Sequence, residues 1–242
     1  MTDIQTAIRQ YLEKHGFGSF APKAVLFDMD GVLYDSMPRH AIAWHDVMER
    51  EGITMSKTDA YLYEGMRGVE TISLLFRQQK GIEITPERAQ HIYDLKSKAY
   101  GAQGKAPKMD GVEDLMRQMH ADGLKICVVT GSGQHNLLDH LVEDFPGLLS
   151  EQLRVTSYDV KRGKPAPGPY IMGLAKCGVQ PWEAIVVENA PRGVEAGVAA
   201  QIFTVAVNTG PLPDSLLWEK GANLVFKSMR EFLQHYPLLN NQ

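Results

Sequence analysis

Short apolar runs alternate with helical periodicities along most of the chain. The runs cover residues 24–27, 124–129, 184–187 and 203–207. Continuous apolar runs of this length are typical of strands that are buried on both faces of a parallel sheet. Apolar residues recur between the runs at helical spacing, and the clearest sets are Val112, Leu115, Met116 and Met119, and then Tyr170, Leu174 and Cys177. The alternation predicts a parallel α/β fold.

The segment from 38 to 103 follows a different pattern, because it contains no strong buried strand. Three stretches within it have helical character, at 38–51, 68–79 and 86–99. We therefore predict an all-helical cap domain, residues 38–103, inserted into a core domain that is formed by residues 21–37 and 104–242.

Residues 1–20 precede the first strand and are mixed in charge. Ile4, Ile8, Tyr11 and Leu12 fall near one face of a helix over residues 2–15. This pattern predicts an N-terminal helical extension that packs on the core; a free tail is the alternative.

The composition excludes several classes of protein. The chain has 242 residues, a hydrophobic share of 44% and a formal net charge of -4. Without a basic excess, nucleic acid is not an expected partner, and no apolar run approaches the roughly 20 residues of a membrane span. Cys127 and Cys177 lie in apolar patterns, which favours reduced thiols and a cytoplasmic protein. The sequence indicates no obligate protein partner.

Two carboxylates follow the first apolar run directly. Asp28 and Asp30 stand two positions apart, and Gly31 lets the chain turn sharply after them. Residues two apart in an extended chain point the same way, so both side chains can face one site. Paired carboxylates suit a divalent cation and proton transfer. The alternative is a surface turn in which the Asp side chains bond to the backbone.

Two later segments carry groups that suit an anion. Thr130 and Ser132 stand in the sequence VTGSG, where hydroxyls beside backbone N–H groups can form an anion site or simply a glycine-rich turn. Lys164 is followed by Pro165-Ala166-Pro167, so the rigid backbone can hold its charge in place at low entropic cost. The alternative is that Lys164 is a solvated loop lysine.

Glu188 and Asn189 follow the apolar run at 184–187. Both offer the hard oxygen ligands that magnesium prefers; the alternative is that Asn189 caps a helix that begins near Pro191. Ligands bind beyond the carboxyl ends of the strands in an open parallel sheet. We therefore expect the four polar segments to converge in one site.

In this order, the four segments resemble the motifs of the haloacid dehalogenase superfamily of phosphotransferases. The matching sequences are DMDGVL at 28–33, VTGS at 129–132, GKP at 163–165 and VENAPRG at 187–193. More closely, the chain is similar to the branch that contains β-phosphoglucomutase and small-molecule phosphatases with a helical cap. The resemblance covers about residues 21–230, and it implies a Rossmann-like parallel sheet.

The resemblance also implies a magnesium-dependent mechanism. Asp28 would attack phosphorus and become an aspartyl phosphate, and Asp30 would act as acid and base. The metal would lie on the Asp28 carboxylate, the Asp30 backbone carbonyl and Asn189, with Glu188 close by. Asn189 is a departure, because the family usually has a second acid at that position.

The remaining catalytic roles implied by the resemblance concern the phosphoryl group itself. Thr130 would hydrogen-bond the phosphoryl oxygens, and Lys164 would neutralise charge on the nucleophile and the phosphoryl group. This division agrees with phosphoryl transfer in general, where positioning and charge neutralisation dominate.

The cap supplies substrate specificity in this family. The candidate substrate-binding residues here are His40, Glu64, Arg67 and Lys96 of the cap, with Ser132 of the core. Sugar-phosphate mutases carry an arginine in the cap loop that binds the distal phosphate; the corresponding position here is Gly68, with Arg67 one residue earlier. Some relatives that combine a cap Glu with a Glu-Asn pair act on inorganic pyrophosphate, and this sequence is similar to that subgroup.

The sequence thus predicts an enzyme that hydrolyses a small phosphorylated substrate, with pyrophosphate favoured. The alternatives are a β-phosphoglucomutase-type sugar phosphate isomerase and a sugar-phosphate phosphatase, which would share the aspartyl phosphate. A catalytically silent binding module of the same fold is the alternative from another class.

Overall fold

The centre of the molecule is a parallel sheet of six strands in the order β3-β2-β1-β4-β5-β6. The structure is a computed structural model, and it describes residues 3–133 and 135–240. The strands are β1 (Ala24–Phe27), β2 (Lys125–Val129), β3 (Arg154–Val155), β4 (Ala184–Glu188), β5 (Phe203–Val207) and β6 (Leu224–Phe226). The predicted α/β fold with a parallel, Rossmann-like sheet is confirmed.

Helices cover both faces of the sheet. They are α1 (Ile4–His15), α6 (Val112–Ala121), α7 (His135–Asp144), α8 (Gly168–Cys177), α9 (Pro191–Ala199), α10 (Asp214–Glu219), α11 (Met229–His235) and α12 (Pro237–Asn240). Alternate residues of β1 face opposite layers: Val25 and Phe27 join the cluster that includes α6 and α11, while Ala24 and Leu26 join the cluster that includes α8. All four side chains are fully buried, which explains why β1 reads as a continuous apolar run.

A group of helices lies between β1 and α6 and forms the cap. These helices are α2 (Met37–Arg50), α3 (Lys57–Leu62), α4 (Gly68–Lys80) and α5 (Pro86–Gly101). Their apolar faces share a hydrophobic cluster of their own, with Met48, Ile72 and Ile92 fully buried in it. The all-helical cap is thus confirmed, while the domain limits 38–103 remain a prediction.

Helix α1 packs against the end of the core. The Tyr11 ring contacts Phe20 and Phe203 edge-on, at 6.0 Å and 5.4 Å between centroids. The Tyr11 hydroxyl donates to the Gln201 carbonyl at 2.9 Å. The described residues do not include 1, 2, 134, 241 and 242. The predicted extension begins, and the predicted core ends, at residues in this set.

Cys127 and Cys177 are both free cysteines, and both are buried. Among the helices within 3–133 and 135–240, none combines the length and the apolar character needed to cross a membrane.

Candidate active site

Polar side chains from four loops meet at the carboxyl edge of the sheet, beneath the cap. Asp28 follows β1, Thr130 follows β2, and Asn189 follows β4, while Lys164 comes from the loop between β3 and α8. All four residues are buried, with at most 6% of their surface exposed. The parallel sheet explains the convergence, because its strands all end at this edge.

Lys164 stands at the centre of this group. Its ammonium donates to Asp28 Oδ1 at 2.5 Å, to Glu188 Oε1 at 2.6 Å and to the Val129 carbonyl at 2.9 Å. Burial alone would lower the pKa of Lys164, but the charges of Asp28 and Glu188 outweigh it and raise the pKa. A charged ammonium therefore lies directly beside the predicted nucleophile.

Glu188 is held on both carboxylate oxygens by the protein. Oε1 accepts from Lys164 and from the Tyr170 hydroxyl at 2.7 Å, and Oε2 accepts from the Asn189 N–H at 3.0 Å. Gly193 of α9 packs against the carboxylate so closely that a Cβ there would lie 1.9 Å from Oε1. These contacts suit Glu188 to orient Lys164 more than to bind a metal directly.

Asp30 ends a chain of buried hydrogen bonds that begins in the cap. Its Oδ1 accepts from the Ser36 hydroxyl at 2.6 Å and lies 2.9 Å from His40 Nε2. Lys96 Nζ lies 2.5 Å from His40 Nδ1. As long as Lys96 is protonated it can only donate, and His40 then accepts on Nδ1 and donates its Nε2 proton to Asp30. Lys96 and His40 therefore line the site but are bonded to each other and to Asp30.

Burial sets the protonation of this chain. It raises the pKa of Asp30, but His40, Ser36 and Lys96 outweigh it, so the pKa lies well below its ordinary value. Burial and the neighbouring Lys96 lower the pKa of His40. Burial also lowers the pKa of Lys96 to about 7, although Asp30 opposes this. Near neutral pH, Lys96 can therefore lose its proton while Asp30 stays ionised.

Two aromatic rings enclose the Lys96 ammonium. The ring centres of Trp44 and Tyr100 lie 5.0 Å and 5.5 Å from Nζ. The Tyr100 ring also stacks on the His40 imidazole at 4.0 Å between centroids. The ring faces hold the cation where water is largely excluded.

Glu64 reaches from the cap onto Asn189 of the core. Its two carboxylate oxygens accept from Asn189 Nδ2 at 3.1 Å and 3.2 Å. Burial and the nearby acids Asp28, Glu188 and Asp30 raise the pKa of Glu64 well above its usual range. The approach of Asn189 also requires Gly31, where φ is +78° and a Cβ would lie 2.0 Å from Nδ2.

The predicted nucleophile is surrounded by other acids. The pKa of Asp28 is raised to about 8, because burial, Glu188 and Asp30 raise it by more than Lys164 lowers it. Asp28 thus lies near three other carboxylates, those of Glu188, Asp30 and Glu64, while of these four the Lys164 ammonium contacts only Asp28 and Glu188. A divalent cation would relieve this excess of negative charge.

The cap leaves little open space above these groups. The space beneath the cap is about 50 Å³. Thr130 and Ser132 line its core side, and the Ser132 N–H donates to Thr130 Oγ1 at 3.0 Å. At Gly131 the cap backbone is so close that a Cβ would lie 2.5 Å from the Gly65 carbonyl oxygen. Glu64, His40 and Lys96 line the same space.

Arg67 lies apart from this group. Its Nη1 donates to the Lys161 carbonyl at 2.9 Å, and the residue lines an open groove of about 740 Å³ between the cap and the Lys164 loop. The structure therefore brings together every predicted site residue except Arg67.

Among the residues that contact predicted site residues but were not themselves predicted are Ser36, Trp44, Tyr100 and Tyr170. Ser36 stands three residues after the DMDGVL motif, so its place beside the motif was a usable signal. Tyr170 was read only as part of an apolar helical face, and nothing in the sequence marks its hydroxyl as a donor to Glu188.

Comparisons with known proteins agree with this arrangement. The sequence model of the haloacid dehalogenase-like hydrolases matches residues 22–201. A solved structure from Bacteroides vulgatus, provisionally assigned as a β-phosphoglucomutase, is 49% identical with a TM-score of 0.94, over 98% of this chain and 96% of that one. Hexitol phosphatase A of Escherichia coli is 31% identical over 189 residues, 77% of this chain and 83% of the relative. β-Phosphoglucomutase of Bacillus subtilis is 25% identical over 226 residues, 89% of this chain and 97% of the relative.

Proposed function

The chain belongs to the haloacid dehalogenase-like hydrolases, and on that premise we propose that it is a magnesium-dependent phosphohydrolase that works through an aspartyl phosphate on Asp28. We propose inorganic pyrophosphate as the favoured substrate. The observation that carries the proposal is the buried contact between Asp28 and Lys164, at the base of a space of about 50 Å³ that Glu64 closes from above.

The roles of the core residues follow from their contacts. An Asp28 carboxylate oxygen bonds to phosphorus as the bond from phosphorus to the leaving oxygen breaks, and water later cleaves the aspartyl phosphate. Lys164 offsets the charge that gathers on the transferring group, and Thr130 and Ser132 offer donors to its oxygens. Glu188 and Tyr170 hold Lys164 in place.

Asp30 moves the protons. It is ionised at rest, which suits removal of a proton from the attacking water. For protonation of the leaving group, His40 passes its Nε2 proton to Asp30 and takes one from Lys96 on Nδ1. Lys96 is left neutral, in keeping with its pKa of about 7. The three residues thus act as one proton relay.

The residues present fit a magnesium ion. Asn189 Oδ1 is buried without a hydrogen-bond partner among the described residues. The other two proposed ligands, the Asp28 carboxylate and the Asp30 carbonyl, both belong to the loop that follows β1. No group of three His, Cys, Asp or Glu side chains able to hold a metal is found within 3–133 and 135–240, so the ligands include an amide and a backbone carbonyl. Magnesium would neutralise phosphoryl oxygens when bound.

The size and charge of the site favour a compact substrate. Pockets for drug-sized ligands usually enclose about 300–1,000 Å³, far more than the space under this cap. Glu64 offers no positive charge to the distal phosphate of a sugar phosphate, but its oxygens can orient the hydrated magnesium of a metal-complexed pyrophosphate. Arg67, the cap cation closest in sequence to the arginine position of the mutases, is turned toward Lys161.

Hydrolysis of a sugar or polyol phosphate is the second candidate. Hexitol phosphatase A is among the relatives, and the Bacteroides vulgatus and Bacillus subtilis proteins carry a mutase assignment. With either substrate this chain would use Asp28 and Lys164 in the same way, so the cap residues alone decide between the two candidate functions.

Phosphate release with magnesium should separate them. The panel contains pyrophosphate, hexose phosphates, hexitol phosphates, nucleotides and an aryl phosphate. We expect pyrophosphate to be hydrolysed best, and Glu64→Ala to slow its hydrolysis on the order of tenfold or more. The aryl phosphate should lose less, because it needs only the core residues. Efficient interconversion of hexose phosphates by a wild-type enzyme that ignores pyrophosphate would contradict this proposal.

We also propose a reducing, cytoplasmic setting for the protein. Its support is that Cys127 and Cys177 are both free and both buried.

A further inference from the structure

Two cap residues hold the core loop that carries Lys164. Glu70 accepts from the Gly163 N–H, at 3.1 Å to Oε2 and 3.4 Å to Oε1. Arg67 Nη1 donates to the Lys161 carbonyl at 2.9 Å. The cap therefore supplies one acceptor and one donor to the backbone just before Lys164. We call these two contacts the cap latch.

The cap and the core loop are in close contact at the latch, with no room for a side chain at two glycines. A Cβ at Gly163 would lie 2.8 Å from both the backbone nitrogen and Cγ of Arg67. Gly65, where φ is +82°, approaches the Lys164 side chain equally closely, since a Cβ there would lie 2.9 Å from Cδ. Any larger side chain at these two positions would push the cap away from the core.

The latch lies outside the reaction space. Arg67 and Glu70 line the groove of about 740 Å³ and not the space above Asp28, which is lined by the neighbouring Gly68. Solvent in the groove can replace both hydrogen bonds, so the contacts can break when the cap opens. The Lys164 ammonium itself is held by core groups alone within the described residues. The latch therefore acts on the cap, not on the lysine.

We propose that Glu70 and Arg67 are positioning residues that hold the cap closed over the Lys164 loop. A closed cap excludes water and completes the site around the bound substrate. If only the closed form binds substrate tightly, the apparent affinity falls with the fraction of closed molecules. Loss of the latch should thus raise KM. Because saturating substrate restores the closed form, kcat should stay nearly unchanged. This inference holds whichever phosphate compound is the substrate.

The test compares Glu70→Ala with Glu70→Gln. Glu70→Ala removes the acceptor, and we expect KM for the best substrate of the panel to rise about three- to tenfold, the effect of one hydrogen bond of ordinary net strength. Glu70→Gln keeps an amide oxygen that can accept from Gly163, so its KM should stay within about twofold of wild type. The matched control is Glu83→Ala, because Glu83 is exposed and pairs with Arg77 inside the cap.

A second measurement needs no substrate. Hydrogen exchange of the free protein should become faster in residues 62–70 and 161–164 of Glu70→Ala, and of Gly163→Ala, than in wild type. The competing explanation is that Glu70 only stabilises the first turn of α4 as an acid. In that case Glu70→Gln would lose as much stability as Glu70→Ala, and exchange at 161–164 would not change. Either that result or an unchanged KM in Glu70→Ala would overturn the latch.

Discussion

Replacing Lys96 with methionine should make the protein more stable and less active. Lys96 is only 3% exposed, and its ammonium lies between aromatic rings and His40. Burial lowers its pKa from 10.5 to about 7. Methionine is apolar, flexible and close to lysine in length, so it can fill the same space without a charge. The variant would also lack the donor that supplies the proton relay.

The size of the effect follows from the pKa. Each pH unit corresponds to about 1.4 kcal/mol, so lowering the Lys96 pKa to about 7 means that the buried charge costs about 5 kcal/mol at and below pH 7. Against this gain, the variant leaves His40 Nδ1 without its partner, at a cost of about 1–3 kcal/mol. We expect the free energy of unfolding to rise by about 2–4 kcal/mol at neutral pH, in line with other buried ions replaced by apolar residues.

The advantage of the variant should also depend on pH. Above pH 7 the folded wild-type protein releases the Lys96 proton, whereas the unfolded chain keeps it up to about pH 10.5. The unfolded state then binds more protons, so wild-type stability rises with pH relative to the variant. The advantage of Lys96→Met should fall by about 2–3 kcal/mol between about pH 7 and 9.

Urea unfolding across this pH range, with phosphate release on the same preparations, tests the reasoning. Lys98→Met is the matched control, because Lys98 is exposed on the same helix. A Lys96→Met variant that is less stable than wild type, or an advantage that does not change with pH, would refute the argument that Lys96 is a costly charge kept for its chemistry.

Three other substitutions test single contacts. Asp30→Asn should slow substrates with poor leaving groups most, since these need a proton in the transition state; equal losses for good and poor leaving groups would count against the relay. Asn189→Ala should weaken magnesium activation on the order of tenfold, and a titration curve like that of wild type would remove Asn189 from the ligands. Tyr170→Phe deletes the donor to Glu188 and should lower the free energy of unfolding by about 1–2 kcal/mol and turnover several-fold; unchanged unfolding and turnover would show that Glu188 needs no help in holding Lys164.

The core of the fold was predictable because a strand that is buried on both faces is apolar at every position. The four runs that were predicted as strands correspond to β1, β2, β4 and β5. The edge strands β3 and β6 contain only two and three residues. Runs that short carry no period, and pairing with their neighbours makes them strands. Tertiary context, not local pattern, decides such elements.

The candidate site was predictable to the extent that it sits at strand ends. Asp28, Thr130 and Asn189 stand directly after apolar runs, and a parallel sheet brings such positions together. The partners of those groups were not predictable. His40 and Lys96 were assigned to substrate, yet the fold of α2 against α5 bonds them to Asp30. Periodicity shows which face of a helix is buried but not which polar atom it meets there.

The most direct test of the account is to trap the phosphorylated enzyme. Wild type and Asp28→Asn would each be mixed with radiolabelled pyrophosphate or acetyl phosphate, a reactive phosphoryl donor, in the presence of magnesium. The reaction would be quenched in acid after a fraction of one turnover, and the labelled peptide identified by mass spectrometry. We predict one phosphoryl group on Asp28 in wild type and none in the variant. A wild-type enzyme that turns over without any label, or label on another residue, would contradict the central claim.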